Sequence, residues 1–246
     1  MSKVSKLFGL RASKTKTKDA ELAVELSSFD KETIAFAKPF TMTSVQRLQA
    51  LILAVRHIVK RKIPGAIVEC GVWRGGSMLT AARTLCELGD RERELFLYDT
   101  YAGMPEPGDQ DVRQFDKVSA SELLKNDTKD DGTRAIASIE IVKQTMSLSR
   151  YPTDKVRMIV GKVEETIPST IPKQIALLRL DTDWYSSTLH ELRHLYPLLS
   201  PGGVLIIDDY GWWEGARRAV DEYFADHEAA PLFNVIDDTG RIAVRA

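Results

Sequence analysis

The sequence predicts an α/β fold in which a doubly wound, mostly parallel sheet of seven strands ends in a C-terminal antiparallel hairpin. Apolar runs alternate with segments of helical periodicity along the chain. The runs lack in-and-out alternation, which is typical of parallel strands buried on both faces. The last two runs flank the tetrapeptide 237–240, whose Asp, Thr and Gly residues favour a hairpin turn.

The elements are predicted in chain order from these patterns. Apolar residues recur at helical spacing over 43–62, where Ser44 is a suitable N-cap. The predicted strands are 66–70, 95–99, 156–161, 176–181, 204–209, 232–236 and 241–245. Further helices are predicted over about 77–88, 135–148, 188–199 and 215–227.

The chain of 246 residues is long enough for one α/β domain with a full core. We expect a polar, Lys-rich and mobile segment over 1–30 and a single domain over 31–246. Pro, Gly and charged residues interrupt the pattern at about 103–150, which indicates a lid or a substrate-facing insertion.

Composition argues against several classes of partner. The net charge of -1 provides no global attraction to nucleic acid or to an anionic membrane. No apolar run reaches the roughly 18 residues that a spanning helix needs. Cys70 and Cys86 lie in apolar stretches, so we expect buried thiols rather than a disulfide or a zinc site. These observations predict a cytoplasmic protein.

A glycine-bearing turn, 69–77, follows the first predicted strand with the spacing G-x-x-x-G-G. Such a turn lies where doubly wound sheets bind ligands, and its spacing differs from the G-x-G-x-x-G of nicotinamide binders. Asp99 ends the second strand, where a carboxylate can accept both hydroxyls of a ribose. The alternative is a tight strand-to-helix connection. The acidic strand ends Glu69 and Asp99 favour a nucleoside cofactor without pyrophosphate, such as S-adenosylmethionine.

Carboxylates follow two further strands that should be neighbours. Asp181 and Asp183 come after one strand, and Asp208 and Asp209 after the next. Like charges brought this close repel, and an all-oxygen ligand set suits a hard cation such as Mg²⁺. The alternative is that these residues cap helices or form turns, which applies most to Asp183, close to the helix beginning near Ser186.

Five stretches together resemble the macrocin O-methyltransferase family, whose members methylate sugar hydroxyls of macrolides and aminocoumarins. The stretches are FTMTSVQRL (40–48), VECGVWRGGS (68–77), LYDTYAGMPEP (97–107), LRLDTDWYSSTL (178–189) and LSPGGVLIIDDYGWWEGARRAVDEY (199–223). The resemblance implies the Rossmann-like fold of class I methyltransferases, with S-adenosylmethionine and Mg²⁺ as cofactors. It also implies a small-molecule acceptor, expected to be a sugar with vicinal hydroxyls, and a homo-oligomer.

The resemblance also implies roles for individual residues. Asp181, Asp208 and Asp209 are expected to bind Mg²⁺, and Asp181 to act as the general base as well. The residues expected at the cofactor are Thr41, Met42, Ser44, Glu69, Gly71, Arg74, Gly75, Gly76, Ser77 and Asp99.

Two other functions stay open from the sequence. Catechol-type methyltransferases have Asp and Asp-Asn at similar positions, whereas this chain has Asp-Asp at 208–209, which favours the sugar branch. A non-catalytic, methyltransferase-like binding protein is the second alternative. His190 and His194 have i, i+4 spacing, but an ordinary helix role is favoured over metal binding. We expect one or both of Trp212 and Trp213 at the acceptor.

Overall fold

The computed structural model describes residues 23–127, 134–225, 227 and 230–246. Most of the N-terminal segment predicted over 1–30 lies outside this part of the chain. Helix α1, Ser28–Ala37, begins within the predicted segment, with Ser27 as its N-cap. The Ser27 hydroxyl accepts the Asp30 amide at 3.1 Å. The domain boundary predicted at residue 30 therefore falls inside a helix.

The remaining elements match the predicted order. The helices that follow are α2 (Val45–Lys60), α3 (Gly76–Glu87), α4 (Ala120–Asn126), α5 (Ile139–Ser147), α6 (Val163–Thr166), α7 (Tyr185–Leu195) and α8 (Glu214–Ala225). The strands are β1 (Ala66–Cys70), β2 (Leu95–Asp99), β3 (Val156–Val160), β4 (Ile175–Leu180), β5 (Leu199–Ile207), β6 (Asn234–Val235) and β7 (Arg241–Val244). In the part of the chain that the structure describes, no helix is both long and apolar enough to cross a membrane.

The strands form one seven-stranded sheet in the order β3-β2-β1-β4-β5-β7-β6. Strands β1 to β5 pair in parallel, whereas β7 is antiparallel to both β5 and β6. The predicted fold class is confirmed. Chain order reverses between β1 and β4, and the ends of parallel strands at such a switch point form the usual ligand-binding crevice.

The core lies in two layers, one on each face of the sheet. Leu51 of α2 and Leu85 of α3 belong to the layer on one face. Leu192 of α7 and Val220 of α8 belong to the layer on the other face. Each such side chain contributes about 1.5–3 kcal/mol when fully buried, so the two layers hold the central strands in place.

Burial on both faces is confirmed for β1 and β4 but is wrong for β3. Strand β3 forms the sheet edge, and only the one-turn helix α6 lies between β3 and β4. The last residue of β3, Val160, is largely exposed. Both cysteines are free thiols, with Cys70 fully buried and Cys86 partly buried.

Hydrogen bonds attach the described part of the segment predicted as a lid or insertion, 103–150, to the rest of the domain. The Gln114 amide donates to the Trp212 carbonyl at 2.9 Å, and the Glu214 amide donates to the Val112 carbonyl at 2.9 Å. The buried carboxylate of Asp111 accepts the first amide of α7 at 2.8 Å. Residues 111–114 are thus bonded to the beginnings of α7 and α8. Closure of the segment over a substrate stays a prediction.

Candidate active site

Five carboxylates gather where β1, β4 and β5 end: Glu69, Asp181, Asp183, Asp208 and Asp209. The parallel ladder continues past the strand ends, because the Asp181 amide donates to the Cys70 carbonyl at 2.9 Å. One oxygen each from Asp181, Asp208 and Asp209 lies within 4.8 Å of the others. The carboxylates therefore converge as expected from adjacent parallel strands.

Arg179 of β4 lies beneath this cluster with only 4% of its side chain exposed. Its Nη1 lies 2.6 Å from Glu69 Oε1 and 2.7 Å from Asp181 Oδ2. Its Nη2 lies 2.7 Å from Asp208 Oδ1 and donates to the Thr43 hydroxyl at 2.8 Å. Burial opposes the charge, but the surrounding carboxylates outweigh it and hold the Arg179 pKa well above its usual value. One guanidinium thus links all three strand ends.

Arg47 of α2 is the second cation of the site. It forms ion pairs with Asp208 and, through Nε at 3.0 Å, with Asp237 of the C-terminal hairpin. The sequence prediction assigned relief of the carboxylate repulsion to a bound cation alone, and it missed both arginines. The signal for Arg179 was a charged residue inside a predicted buried strand, where a charge is stable only with partners.

The two arginines do not neutralise the five carboxylates. Burial raises the pKa of Glu69 to about 7, although Arg179 opposes the shift. Burial likewise raises the pKa of Asp183 to about 7, although a hydrogen bond with Asp209 opposes it. The pKa of Asp181 is also raised, first by burial and then by the neighbouring carboxylates, against the effect of Arg179. A further cation bound at the cluster would oppose these shifts, because a nearby positive charge favours the ionised carboxylate.

The glycines of the turn after β1 allow close approaches of the backbone. Gly71 has φ +82°, and a Cβ there would lie 1.9 Å from the Asp181 carbonyl oxygen. A Cβ on Gly76 would lie 2.6 Å from the Phe40 carbonyl oxygen. Any residue with a Cβ at position 71 or 76 would clash with one of these carbonyl oxygens, so both positions require glycine. The G-x-x-x-G-G spacing thus lets the turn lie against the β4–α7 loop on one side and the FTMTS segment on the other.

Asp99 organises the same turn from the end of β2. Its Oδ2 accepts the amides of Val72 at 2.7 Å and Trp73 at 3.0 Å, and its Oδ1 accepts the amide of Tyr101 at 2.7 Å. A carboxylate offers about four acceptor positions, so capacity for a further donor remains.

Three of the seven described non-glycine residues with positive φ lie just past these strand ends. Trp73 follows β1 with φ +47°, Tyr101 follows β2 with φ +53°, and Asp183 follows β4 with φ +68°. Such conformations cost about 1–3 kcal/mol each and cluster at functional sites. Asp183 does not cap α7, whose N-cap is Trp184 without a side-chain bond. That alternative for Asp183 is wrong.

Two cavities meet at the carboxylate cluster. The larger, about 350 Å³, is bordered by Asp208 and Asp209 and by both Trp212 and Trp213. The smaller, about 110 Å³, is bordered by the turn after β1 and the ends of β2 and β3. The residues common to both are Met42, Trp73, Asp181 and Asp183.

The cavities separate the residues predicted at the cofactor into two groups. Those bordering a cavity are Thr41, Met42, Gly71, Ser77 and Asp99. Those bordering neither are Ser44, Glu69, Arg74, Gly75 and Gly76. The residues of the second group support the residues that border the cavities. Ser44 caps α2, Glu69 pairs with Arg179, and the Arg74 guanidinium lies 4.7 Å from the centre of the Trp73 ring.

The histidine pair of α7 has an ordinary helix role. His190 Nε2 lies 2.9 Å from the Ile167 carbonyl oxygen, and His194 Nδ1 lies 2.8 Å from the His190 carbonyl oxygen. Among the described residues, neither belongs to a group that could hold a metal ion.

Comparison with known proteins agrees with this architecture. The family described as Macrocin-O-methyltransferase (TylF) matches residues 8–244. The 8-demethyl-8-(2,3-dimethoxy-alpha-L-rhamnosyl)-tetracenomycin-C 4'-O-methyltransferase of Streptomyces olivaceus is 32% identical over 202 residues, which cover 81% of this chain and 73% of the relative. Mycinamicin III 3''-O-methyltransferase of Micromonospora griseorubida is 33% identical over 81% of this chain and 76% of its own.

Among solved structures, that of the O-methyltransferase NovP superposes with a TM-score of 0.73 at 29% identity and covers 84% of this chain and 82% of its own. The sequence resemblance and the fold therefore agree. The chain is an enzyme of the methyltransferase class and belongs to the macrocin O-methyltransferase family.

Proposed function

We propose that this enzyme transfers a methyl group from S-adenosylmethionine to a hydroxyl of a sugar or a glycosylated small molecule, and that it requires Mg²⁺. The observation that carries the proposal is the triad Asp181, Asp208 and Asp209, which stands where the two cavities meet. The name of the Streptomyces olivaceus relative supports a sugar acceptor, since it specifies a rhamnosyl-bearing substrate. A phenolic acceptor is the second candidate.

The smaller cavity has the position and the lining expected where S-adenosylmethionine binds, and its volume of about 110 Å³ holds only part of the molecule. It lies at the switch point of the sheet beside Gly71, where no Cβ obstructs the backbone. Asp99 retains acceptor capacity for a ribose hydroxyl. The Trp73 indole Nε1, on the border of both cavities, is buried without a hydrogen-bond partner among the described residues, so it offers a donor to a bound ligand.

The carboxylate triad fits Mg²⁺. The ligand atoms are all oxygens, and among the described residues the five carboxylates form ion pairs with two guanidinium groups, those of Arg47 and Arg179. No N–H donor of the described chain reaches the buried Oδ2 of Asp209. When bound, Mg²⁺ would supply positive charge that orients two neighbouring hydroxyls and lowers the pKa of one, while S-adenosylmethionine would supply the methyl group.

The chain's own residues hold the reactants and accept the proton. Asp181 borders both cavities, so its carboxylate can reach an acceptor hydroxyl placed between them and take its proton. Arg179 fixes the orientation of that carboxylate. Asp183 is the second candidate for the base, because it borders both cavities and its pKa of about 7 suits proton exchange at neutral pH.

Asp99→Ala is expected to weaken binding of S-adenosylmethionine by about 1–3 kcal/mol, because a ribose hydroxyl loses its buried acceptor and the amides of Val72, Trp73 and Tyr101, which shape the turn, lose theirs. Isothermal titration calorimetry on the folded variant measures the change. Asp154→Ala, which removes an exposed carboxylate, is the matched control and should bind normally. Normal affinity in Asp99→Ala would exclude this residue from cofactor recognition.

Excess chelator is expected to abolish methyl transfer, and added Mg²⁺ to restore it. Asp209→Ala should lose binding of Mn²⁺, followed by electron paramagnetic resonance without turnover, while keeping its affinity for S-adenosylmethionine. Full activity in chelator contradicts the metal requirement. Failure of the wild-type chain to bind S-adenosylmethionine would instead support a non-catalytic role.

A further inference from the structure

Glu191 of α7 carries a carboxyl group inside the core that the proposed reaction does not use. The residue is fully buried. Among the described residues, no Lys, Arg or His forms an ion pair with it. Burial raises the pKa of this carboxyl well above its usual value, although a hydrogen bond from Thr182 opposes the shift. Burying an acid without a cation costs free energy, and buried acids of this kind concentrate at functional sites.

The Glu191 carboxyl bonds to the loop that connects β4 to α7, residues 181–184. The Thr182 hydroxyl donates to this carboxyl and lies 3.0 Å from Oε1 and 3.1 Å from Oε2. The thiol of Cys70, the last residue of β1, is a second hydrogen-bond partner. Glu191 therefore connects the β4–α7 loop to the helix that follows it and to the neighbouring strand.

Thr182 lies between the two candidate bases of the reaction. Asp181 precedes it, and Asp183 follows it with φ +68°. A non-glycine residue in this left-handed conformation costs free energy and persists only where its surroundings hold it. The Trp184 amide closes the turn by donating to the Thr182 carbonyl at 2.8 Å. The side chain of Thr182 is the part of this turn that Glu191 fixes.

The β4–α7 loop is held from both faces of the sheet. Alternate residues of a strand point to opposite faces, so Asp181 follows the direction of Arg179, and Thr182 follows that of Leu180. Arg179 donates to Asp181 Oδ2 at 2.7 Å on one face. On the other face, Leu180 packs in the layer that α7 covers, and Glu191 of α7 bonds to Thr182. The two supports act on adjacent residues from opposite directions.

We infer that Glu191 is a positioning residue for methyl transfer, which acts through the Thr182 hydroxyl and holds the loop that directs Asp181 and Asp183 toward the cavities. The inference rests on the proposed function, in which one of these carboxylates takes the proton of the acceptor. Glu191 borders neither cavity, so its effect on the reaction passes through the loop.

Crystal structures of the full chain and its variants test the placement of the loop without turnover. Glu191→Leu removes the acceptor of the Thr182 hydroxyl with little change in volume, whereas Glu191→Gln retains an acceptor oxygen. In Glu191→Leu we expect Asp183 to leave its left-handed conformation and its carboxylate to move by about 1 Å, a displacement large enough to impair proton transfer. Glu191→Gln should keep the loop of the wild type. An unchanged loop in Glu191→Leu overturns the inference.

Kinetics with methyl α-L-rhamnoside, saturating S-adenosylmethionine and Mg²⁺ test the consequence. Glu191→Leu should lower kcat by about 10- to 100-fold, the range for a misplaced reacting group, and change KM for the glycoside by less than about twofold. Glu191→Gln should restore most of this kcat. Leu195→Ala is the matched control, because it enlarges the same buried layer without touching the loop. It should lower the urea midpoint and leave kcat unchanged.

The double variant Thr182→Val/Glu191→Leu separates positioning from stability. Replacing both hydrogen-bond partners by apolar groups leaves no buried polar atom of this pair unsatisfied, so the urea midpoint should return close to that of the wild type. Because the loop still lacks its support, kcat should stay low. The double variant also serves as the test if Glu191→Leu alone does not fold.

Each alternative has its own outcome. A kcat that follows stability, restored in the double variant or lowered in Leu195→Ala as well, shows a merely structural role and overturns the inference. A kcat of Glu191→Leu equal to that of the wild type overturns it too and leaves the proposed function standing. A displaced loop in Glu191→Leu, with no methyl transfer by the wild type to this or any other glycoside, supports the hold of Glu191 on the loop and contradicts the proposed function.

Discussion

Asp181→Asn is expected to lower kcat by about 100- to 10,000-fold, the range for loss of a positioned general base. The amide keeps the shape of the carboxylate and its oxygen can still accept from Arg179, but it cannot take the acceptor proton. The substitution keeps the backbone contacts of residue 181 with the turn after β1, and its side chain bonds to Arg179 rather than to that turn. Affinity for S-adenosylmethionine should therefore stay within about twofold of wild type, a difference of less than about 0.5 kcal/mol in binding free energy. Single-turnover kinetics and calorimetry separate the two effects.

The parallel variant Asp183→Asn decides between the two candidate bases. If Asp181 is the base, Asp183→Asn should retain more turnover than Asp181→Asn at every pH. The opposite ranking, with an active Asp181→Asn enzyme, transfers the role to Asp183. Asp154→Asn controls for the general loss of one carboxylate and should show the kinetics of the wild type.

Arg179→Met is expected to lower the free energy of unfolding by about 3–5 kcal/mol, the typical cost of removing one partner from a buried ion pair. The thioether fills part of the volume, but Glu69, Asp181 and Asp208 then face one another without the central cation. Urea unfolding followed by circular dichroism gives the difference directly.

Arg157→Met is the matched control for this loss. Arg157 lies on the edge strand β3 and, among the described residues, forms an ion pair with exposed Glu94 alone, so its removal should change stability by less than about 0.5 kcal/mol. Arg179→Lys should recover part of the lost unfolding free energy, because it restores the positive charge. The recovery should be incomplete, because one ammonium cannot reach all three carboxylates as the forked guanidinium does. Wild-type stability of Arg179→Met would show that the carboxylates tolerate one another without this residue.

The strands could be predicted closely because their signals are local. The runs 66–70 and 95–99 are apolar, have an acidic residue at or next to their last position and are followed by turn residues, and they coincide with β1 and β2. The gathering of Asp181, Asp208 and Asp209 also follows from the sequence, since neighbouring parallel strands place their carboxyl ends at one edge.

The cations of the site could not be predicted in the same way. Arg47 is an unremarkable helix residue in sequence, and only the approach of α2 to β5 and the hairpin gives it two carboxylate partners. Ser44 shows the difference between a local role and a long-range contact. Its helix-capping role was visible locally and is confirmed, whereas its hydroxyl points to Asp237, a partner far along the chain, rather than to either cavity.

The ion pair between Arg47 and Asp237 has a consequence for how the enzyme is made on the ribosome. Asp237 is held at the hairpin turn, where its Oδ1 accepts the Gly240 amide at 2.7 Å. A nascent chain that has emerged through Asp209 carries all five strand-end carboxylates, yet Arg47 still lacks its second partner, Asp237. The ion-pair network of the candidate site is therefore complete only once the C-terminal hairpin has been synthesised and has joined the sheet.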